Sequence, residues 1–387
     1  MKILVAPNAF KGSLSSGEAA RAIVEGMCRV LPDATFISIG LSDGGDGLLD
    51  AVLMAVGGER VSAEVMGPLG EPVVAELGIL DGGETAVIEM CRASGLNLLS
   101  PGRLNALKAT TFGTGQLIKV ALERGARKII LGIGGSATTD GGAGALQALG
   151  VKFLDQEGIV IPPGMGGGDL IRVCQVDTED FDSRLRDVEI LIACDVTNPL
   201  LGPEGAAAVY APQKGASAEE VAFLEAGLTN YISLVEAKTG KSVRDVPGSG
   251  AAGGIGAGLC AFTKAALAQG FDLVCDLVGL TDLLRGVDLV VTGEGKTDAQ
   301  TGFGKVPAGV LRMAHERGIP VLLISGSVDG DVEALGFDGV ISCVSAPIST
   351  QEAMKHAAQL LTLAAERAAH LLKLGFRVLG DDSDHGR

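Results

Sequence analysis

Short apolar runs alternate along the chain with stretches whose apolar residues recur at helical spacing. The runs predict buried strands at residues 3–6, 36–41, 128–131, 189–194, 287–292 and 321–325. The helical spacing predicts helices at residues 17–30, 145–149 and 352–372. Continuous apolar strands that alternate with helices are typical of parallel sheets covered on both faces, so the pattern predicts an α/β fold.

One region departs from this alternation and predicts a second domain. Apolar and polar residues alternate around residues 73–77 and 85–88, with Asp81-Gly82-Gly83 between them, which is typical of a β-hairpin. The chain reads as βαβ again from residue 287. We therefore expect two domains: a discontinuous Rossmann-like parallel-sheet domain (1–70 and 285–387) and a second α/β domain (71–284) inserted in it.

Charge and composition exclude several classes of partner. The 387 residues carry a formal net charge of −16, which repels nucleic acid and anionic membranes. No apolar stretch approaches the ~20 residues that span a bilayer, and no signal-peptide pattern is present, so we expect a cytoplasmic protein.

The seven cysteines include no C-x-x-C pair, so neither a zinc site nor a disulfide framework is expected. The oligomeric state stays open between monomer and homodimer.

Glycine clusters that follow the apolar runs are the first candidates for chemistry. The 58 glycines include a dense cluster at residues 132–144, directly after the predicted strand 128–131. Its candidate anion-binding residues are Gly134, Gly135, Ser136 and Thr138. Glycines let successive N–H groups converge on an anion, and the following helix would direct its positive end at that anion. A tight turn with capping hydroxyls is the alternative interpretation.

Carboxylates follow two other predicted strands. Asp43 and Asp46 lie in the glycine turn 42–47, where paired carboxylates hold Mg²⁺ or orient a hydroxyl, although an Asx turn or a helix cap explains a single Asp equally well. Asp195 follows the strand 189–193, at the position of the crevice in an open parallel sheet. It is a candidate general base or metal ligand.

Charged residues of both signs follow the predicted strand 287–292. Glu294 and Asp298 are candidate metal ligands, and Lys296 and Lys305 are candidate partners of phosphate oxygens. A solvated charged loop is the alternative interpretation. Because the four histidines lie outside all of these segments, we do not expect a histidine-based mechanism.

Two further lysines accompany glycine turns. Lys11 follows the first predicted strand and is placed to meet a substrate carboxylate or phosphate. Lys214 lies on the turn 211–215 and is a candidate phosphate ligand. A solvated surface lysine is the alternative in both cases.

The ordered series of these segments resembles the bacterial glycerate kinase family of the first type. The segments that carry the resemblance are 6–14, 42–47, 111–118, 134–142, 195–200, 212–215, 247–256, 292–301 and 304–307. Each is weakly specific alone, whereas their number and order span nearly the whole chain. Two positions depart from the family pattern: Asn8-Ala9 stands where the family often has Asp-Ser, and Lys296 where it often has Arg.

The resemblance implies ATP and Mg²⁺ as co-reactants and D-glycerate as the substrate, with 2-phosphoglycerate favoured over 3-phosphoglycerate as the product. Combined with the residue patterns, it yields three sets of candidates. The catalytic candidates are Asp195, Lys11, Asp43 and Lys305; the nucleotide-binding candidates are Gly134, Gly135, Ser136, Thr138, Lys214 and Lys296; the metal candidates are Asp298, Glu294 and Asp46.

Two other functions stay open at this point. A nicotinamide-dependent hydroxyacid oxidoreductase also uses glycine loops after strands, but no G-x-G-x-x-G follows the first strand with an acidic residue ~20 positions beyond it. A non-catalytic sensor of sugar acids would not need so many carboxylates and lysines.

Overall fold

The computed structural model describes residues 1–298, 306–330 and 335–381. Its strands are β1 Lys2–Val5, β2 Thr35–Ser38, β3 Glu59–Met66, β4 Pro72–Leu80, β5 Thr85–Glu89, β6 Lys128–Gly132, β7 Lys152–Leu154, β8 Gln175–Asp177, β9 Glu189–Ala193, β10 Ala266–Ala268, β11 Leu289–Thr297, β12 Val321–Val328 and β13 Gly339–Ser342. Lys305, a predicted site residue, lies outside the described residues.

The helices connect these strands. They are α1 Ser16–Cys28, α2 Leu48–Val56, α3 Cys91–Ser94, α4 Phe112–Glu123, α5 Ala143–Ala148, α6 Ala206–Tyr210, α7 Ala218–Thr239, α8 Ile255–Phe262, α9 Gly270–Val278, α10 Leu280–Leu283, α11 Val306–His315, α12 Thr350–Lys355 and α13 Ala357–Asp381. Short 3-10 turns lie at Asp81–Gly83, Leu96–Leu98, Pro101–Arg103, Gly167–Arg172, Ser183–Arg186, Pro212–Lys214 and Ala251–Gly254. Within the described ranges, no helix combines the length and apolar character needed to cross a membrane.

The chain forms two compact units. The five-stranded unit comprises Met1–Asp43, Asp50–Val56 and Val274–Arg387, and the six-stranded unit comprises Gly44–Leu49 and Gly57–Leu273. The chain passes between the units after Asp43, Leu49, Val56 and Leu273. Strand β3 belongs to the six-stranded unit, where it pairs with β4 along its whole length, from Glu59↔Ile79 to Met66↔Pro72. The domain boundaries 70/71 and 284/285 stay a prediction.

The five-stranded unit contains a fully parallel sheet in the order β13-β12-β11-β1-β2. Helix α1 begins after Ser15, whose side chain forms a capping box with Glu18. Helices α1 and α13 pack together, and their buried apolar side chains form one core with those of β1, β11 and β12. Gly26 permits this packing, because a Cβ there would lie 2.1 Å from the carbonyl oxygen of Thr362.

The six-stranded unit contains a mixed sheet in the order β10-β9-β6-β5-β4-β3. Strands β10, β9, β6 and β5 are parallel, and β5, β4 and β3 are antiparallel. The predicted hairpin is confirmed, with Leu80 opposite Thr85 and a turn in which Asp81 has a φ of 52°. Strands β7 and β8 form a separate antiparallel pair.

Several predicted elements differ in their bounds from those observed. Strand β2 ends at Ser38 rather than at residue 41. Strand β11 continues to Thr297, so Glu294 and Lys296 are strand residues that lie opposite Ser325 and Ser327 rather than loop residues. The single predicted helix at 352–372 is two helices, α12 and α13.

Candidate functional site

The segment Gly44–Gly47 crosses the carboxyl ends of the parallel strands in the six-stranded unit. A Cβ on Gly44 would lie 2.4 Å from the Cβ of Ala193, at the end of β9. A Cβ on Gly132 would lie 2.5 Å from the carbonyl oxygen of Gly44, and one on Gly134 would lie 2.8 Å from the Cα of Gly45. These positions therefore need glycine because two backbones meet there. The crossing brings the predicted loops 42–47 and 132–144 together.

Glu89 anchors this crossing at the end of β5, and sequence analysis missed it. Its side chain is 2% exposed, and its Oε1 accepts a 2.6 Å hydrogen bond from the N–H of Gly47. The Arg92 guanidinium pairs with the other carboxylate oxygen and reaches Glu76 at 2.8 Å. The sequence does contain a signal for Glu89: it is a carboxylate at the end of an apolar run, as Asp195 is. The hairpin interpretation of residues 85–88 draws attention away from it.

Asp46 contacts the same strand ends. Its carboxylate accepts a hydrogen bond from the buried thiol of Cys91, and a Cβ on Gly135 would lie 3.2 Å from its Oδ1. Burial, together with the carboxylates of Asp46 and Glu89, raises the pKa of the Cys91 thiol far above its usual range. Cys91 is therefore a neutral donor that holds Asp46 in place.

The loop that follows β6 exposes Gly135 and buries its hydroxyl groups. Gly135 is exposed and Gly134 is half-buried, whereas Ser136 and Thr138 are buried. Lys214 is 1% exposed, and its Nζ donates hydrogen bonds to Ser136 Oγ (2.9 Å) and to the carbonyl oxygen of Thr138 (2.6 Å). The sequence predicts that Ser136, Thr138 and Lys214 contact a phosphate. In the structure all three are buried, and their role stays a prediction.

A buried acid accompanies the buried lysine. Asp140 is 0% exposed and accepts hydrogen bonds from Thr111 N–H (2.8 Å), Thr111 Oγ1 (2.8 Å), Gly142 N–H (3.1 Å) and Gly144 N–H (3.3 Å). Burial raises the pKa of Asp140, while these donors oppose the rise. Burial lowers the pKa of Lys214 to about 7, and the Asp140 carboxylate opposes that shift. Asp140 and Lys214 together fix the shape of the loop from inside the protein.

Asp195 lies just beyond β9, as predicted, and is exposed. Its Oδ1 accepts a 2.8 Å hydrogen bond from the N–H of Gly270, the first residue of α9. The bond fixes the orientation of the carboxylate at the sheet edge. An oriented, exposed carboxylate has the geometry required of a general base.

The five-stranded unit holds a cavity of about 700 Å³. Five predicted site residues line it, and we call this charged group the polar wall: Lys11, Asp43, Glu294, Lys296 and Asp298. They come from β11 and from the segments that follow β1 and β2. The structure thus brings together residues predicted from three separate motifs.

The charges of the polar wall are partly balanced within it. Lys296 Nζ lies 3.5 Å from Asp298 Oδ2 and 3.2 Å from Asp329 Oδ2. Its hydrogen bond to Asp329 and the charges of Asp329 and Asp298 raise the pKa of Lys296, which keeps it cationic. Glu294 is buried, and its Oε1 accepts a 3.1 Å hydrogen bond from Thr297 Oγ1.

The carboxylates of the polar wall suit a magnesium ion that arrives with a nucleotide. Over residues 1–298, 306–330 and 335–381, no three His, Cys, Asp or Glu side chains converge as a ready-made metal site. Mg²⁺ is usually bound by one or two carboxylates together with substrate phosphates. Glu294 and Asp298 line the same cavity and can supply such a pair, whereas Asp46 belongs to the other unit.

Comparisons with known proteins identify the family. The model of the glycerate kinase family matches residues 3–373. This chain belongs to the glycerate kinase family. It is 44% identical to a glycerate kinase of Bacillus subtilis (strain 168), over 97% of this chain and 98% of the relative. It is also 44% identical to a glycerate 2-kinase of Escherichia coli (strain K12), over 98% of this chain and 100% of the relative.

A solved structure agrees with this assignment. A crystal structure from Salmonella typhimurium LT2, provisionally named glycerate kinase 2, is 44% identical and superposes with a TM-score of 0.88 over 97% of this chain and 99% of that chain. The predicted family, the α/β fold class and the identification as a glycerate kinase are therefore confirmed. The roles of individual site residues stay predictions.

Proposed function

We propose that the protein transfers the γ-phosphoryl group of ATP to the 2-hydroxyl of D-glycerate, releasing ADP and 2-phosphoglycerate. The observation that carries this proposal is the match to the glycerate kinase family over residues 3–373. The end-to-end similarity to the E. coli glycerate 2-kinase favours the 2-hydroxyl over the 3-hydroxyl. The hydroxyl oxygen forms the new bond to phosphorus, the bond to the β-phosphate bridge breaks, and the hydroxyl proton passes to a base.

The sheet edge of the six-stranded unit is suited to the transferred group. Phosphoryl transfer depends on positioning and on neutralising charge rather than on covalent help from the protein. We assign the backbone of the half-buried Gly134 and the exposed Gly135 to phosphate oxygens, and Asp195 to the hydroxyl proton. Asp195 is supported by its exposure and by its bond to Gly270, which fixes its direction.

Three predicted phosphate ligands receive a different role. Because Ser136, Thr138 and Lys214 are buried, a phosphate would reach them only if the loop opened. We assign them to positioning: Lys214 donates to the other two residues and so holds Gly134 and Gly135 in place. Asp46, engaged by Cys91, is assigned to positioning as well, rather than to metal binding.

The polar wall supplies the remaining charges. We assign Lys296 to phosphate oxygens, Lys11 to the glycerate carboxylate, and Asp298 and Glu294 to Mg²⁺, with Asp43 beside them. When bound, Mg²⁺ neutralises negative charge on the nucleotide phosphates. The roles of Asp43 and of Lys305, which lies outside the described residues, stay predictions.

The setting of the reaction is also part of the proposal. A net charge of −16 supports small-molecule partners, glycerate and ATP, rather than nucleic acid or membrane. We propose a cytoplasmic enzyme whose two compact units are folding domains. Light scattering after size-exclusion chromatography distinguishes the monomer from the homodimer.

A coupled assay for ADP release with D-glycerate, ATP and Mg²⁺ tests the proposal. Steady turnover supports the kinase. A change in NADH absorbance with glycerate and a nicotinamide cofactor, without ADP release, would select the oxidoreductase. If neither ADP release nor a change in NADH absorbance is observed, but glycerate raises the melting temperature of the protein, the result would select the sensor.

A further inference from the structure

We propose that the cavity in the five-stranded unit binds the nucleoside part of the nucleotide, its base and ribose. The inference rests on the proposed function, because it assumes that a nucleoside triphosphate is one of the two substrates. It adds a subsite to that function, and it depends on residues outside the predicted set.

A second group of residues that line the cavity is apolar. We call it the apolar wall; it contains Phe10, Val344, Ile348, Ala353, Met354 and Leu360. All but Phe10 come from the chain between β13 and the first turns of α13. Ile348 is 45% exposed and Met354 39% exposed, so a ligand that covers them would bury apolar surface now in contact with water.

The chemistry of the apolar wall matches only one of the two proposed substrates. Glycerate carries a carboxylate and two hydroxyl groups on three carbons, so it has almost no apolar surface to bury. A nucleoside has a flat aromatic base for the apolar wall and ribose hydroxyls for polar side chains that also line the cavity, such as Asn8 and Ser327. The volume of about 700 Å³ lies within the ~300–1,000 Å³ of small-molecule sites, and it far exceeds what glycerate needs.

The position of the cavity in the sheet supports the same ligand. From β1 the chain proceeds to β2 on one side, and from β11 it proceeds to β12 and β13 on the other, so the strand order reverses between β1 and β11. In open parallel sheets, ligands bind at the carboxyl ends of the strands beside this reversal. Lys11, after β1, and Asp298, after β11, both line the cavity.

Close packing joins the two walls at one point. Gly12 has a φ of +77°, and a Cβ there would lie 2.7 Å from the Cε of Met354. The loop after β1, which carries Lys11, therefore packs directly against α12, which carries Met354. Ligand contacts with the apolar wall and with Lys11 are thus made on adjoining surfaces.

The test removes the exposed part of the apolar wall in the full chain. The double variant Ile348→Ala, Met354→Ala is titrated calorimetrically with ADP, without glycerate, and separately with tripolyphosphate, which has the charge but no base. We expect ADP affinity to fall by about tenfold or more, since two apolar contacts are lost. Tripolyphosphate affinity should stay unchanged because the polar wall is intact.

A matched control removes the same kind of surface elsewhere. The double variant Leu363→Ala, Leu374→Ala shortens two exposed side chains of α13 that do not line the cavity. It should bind ADP as the unmodified protein does. Thermal unfolding of both doubles checks that the fold is intact, and Ala353→Phe, which fills the cavity without removing an apolar group, should weaken ADP binding as well.

Kinetics separate this inference from the proposed function. With glycerate as substrate, the apolar-wall double should raise KM for ATP and leave KM for glycerate unchanged. If the apolar-wall double variant turns over glycerate with an unchanged KM for ATP, the inference would be overturned, whereas the proposed kinase activity would be supported. If the unmodified protein shows no turnover of glycerate but binds ADP, and the apolar-wall double variant loses that ADP affinity, the result would support the nucleoside site and reject glycerate phosphorylation. Equal losses for ADP and tripolyphosphate, or no binding of ADP by the unmodified protein, would overturn the inference.

Discussion

The two units present different chemistry at the carboxyl ends of their parallel strands. In the six-stranded unit, glycine backbones meet at van der Waals distance over buried polar groups such as Glu89, Asp140 and Lys214. In the five-stranded unit, the strand ends open into a cavity of about 700 Å³ with a polar and an apolar wall. The first arrangement is suited to fixing a few atoms precisely, and the second to enclosing a larger ligand. We therefore expect variants of the six-stranded unit to change kcat or stability, and variants of the five-stranded unit to change KM.

Asp195→Asn should have the largest effect. The amide oxygen can still accept from Gly270 N–H, so the fold should keep its stability, but the side chain no longer accepts the hydroxyl proton. We expect kcat to fall by about 10²–10⁴-fold, the usual contribution of a general base. Asp187→Asn, an exposed position at the other end of β9, is the control and should keep full turnover. Full turnover of Asp195→Asn would remove this residue from the mechanism.

Lys214→Met should lower kcat by about tenfold, because the loop after β6 loses two hydrogen bonds of its support. The same residue should make the free energy of unfolding depend on pH. Burial lowers the pKa of Lys214 to about 7 in the folded state, against 10.5 for a lysine in water, so between those values the unfolded chain binds a proton that the folded chain does not. The free energy of unfolding should therefore rise from pH 7 towards pH 10.5 through this group.

Urea unfolding at pH 6.5 and 8.5 measures this contribution. The increase with pH should be larger in the unmodified protein than in Lys214→Met. Identical pH dependence in the two proteins would show that Lys214 is not a buried amine of low pKa, and would weaken the contrast between the units.

Glu89→Gln should mainly reduce stability. The amide can still accept from Gly47 N–H, but Arg92 loses one of its two carboxylate partners, the buried Glu89, and keeps only Glu76. We expect a loss of about 2 kcal/mol in the free energy of unfolding, with a smaller fall in kcat from the loosened segment Gly44–Gly47. Glu84→Gln, an exposed position just before β5, is the control. Chemical denaturation of both variants distinguishes an anchoring carboxylate from a surface one.

Lys296→Gln should have the smallest effect of the four. The side chain is more than half exposed and already paired with two carboxylates, so its removal costs little stability. We expect KM for ATP to rise by about threefold to tenfold with kcat nearly unchanged, and Lys296→Arg to restore most of the affinity because the charge is kept. A large fall in kcat with unchanged KM would place Lys296 in the chemical step instead.

The parts of the fold that repeat a simple period were predictable. Strands β1, β6, β9 and β12 are short apolar runs, and the hairpin of β4 and β5 is marked by its Asp-Gly-Gly turn between two segments of strand-forming residues. The extension of β11 was not predictable in this way. Glycines at 293 and 295 resemble a turn, and only pairing with β12 from Val290↔Val321 to Thr297↔Val328 makes the segment a strand.

The segments that form the site were predictable from the sequence, but the burial of individual site residues was not. The motifs identified the charged residues that line the cavity, because charged side chains among glycines at strand ends are informative alone, but not the uncharged polar residues Asn8, Ser13 and Ser327. Burial is not encoded at a single position: Lys214 looks like a surface lysine on a turn, and its enclosure comes from Ser136 and Thr138, far away in sequence. Ile348 and Met354 carry no motif, and only the fold brings them to the cavity.

The most direct test of the account is the identity of the phosphorylated product. The protein is incubated with D-glycerate, ATP and Mg²⁺, and the products are followed by ³¹P and ¹³C NMR. The account predicts equal amounts of ADP and 2-phosphoglycerate, with the phosphorus coupled to the carbon that bears the carboxylate. Glycerate that stays unmodified while the folded enzyme, ATP and Mg²⁺ are present would contradict it.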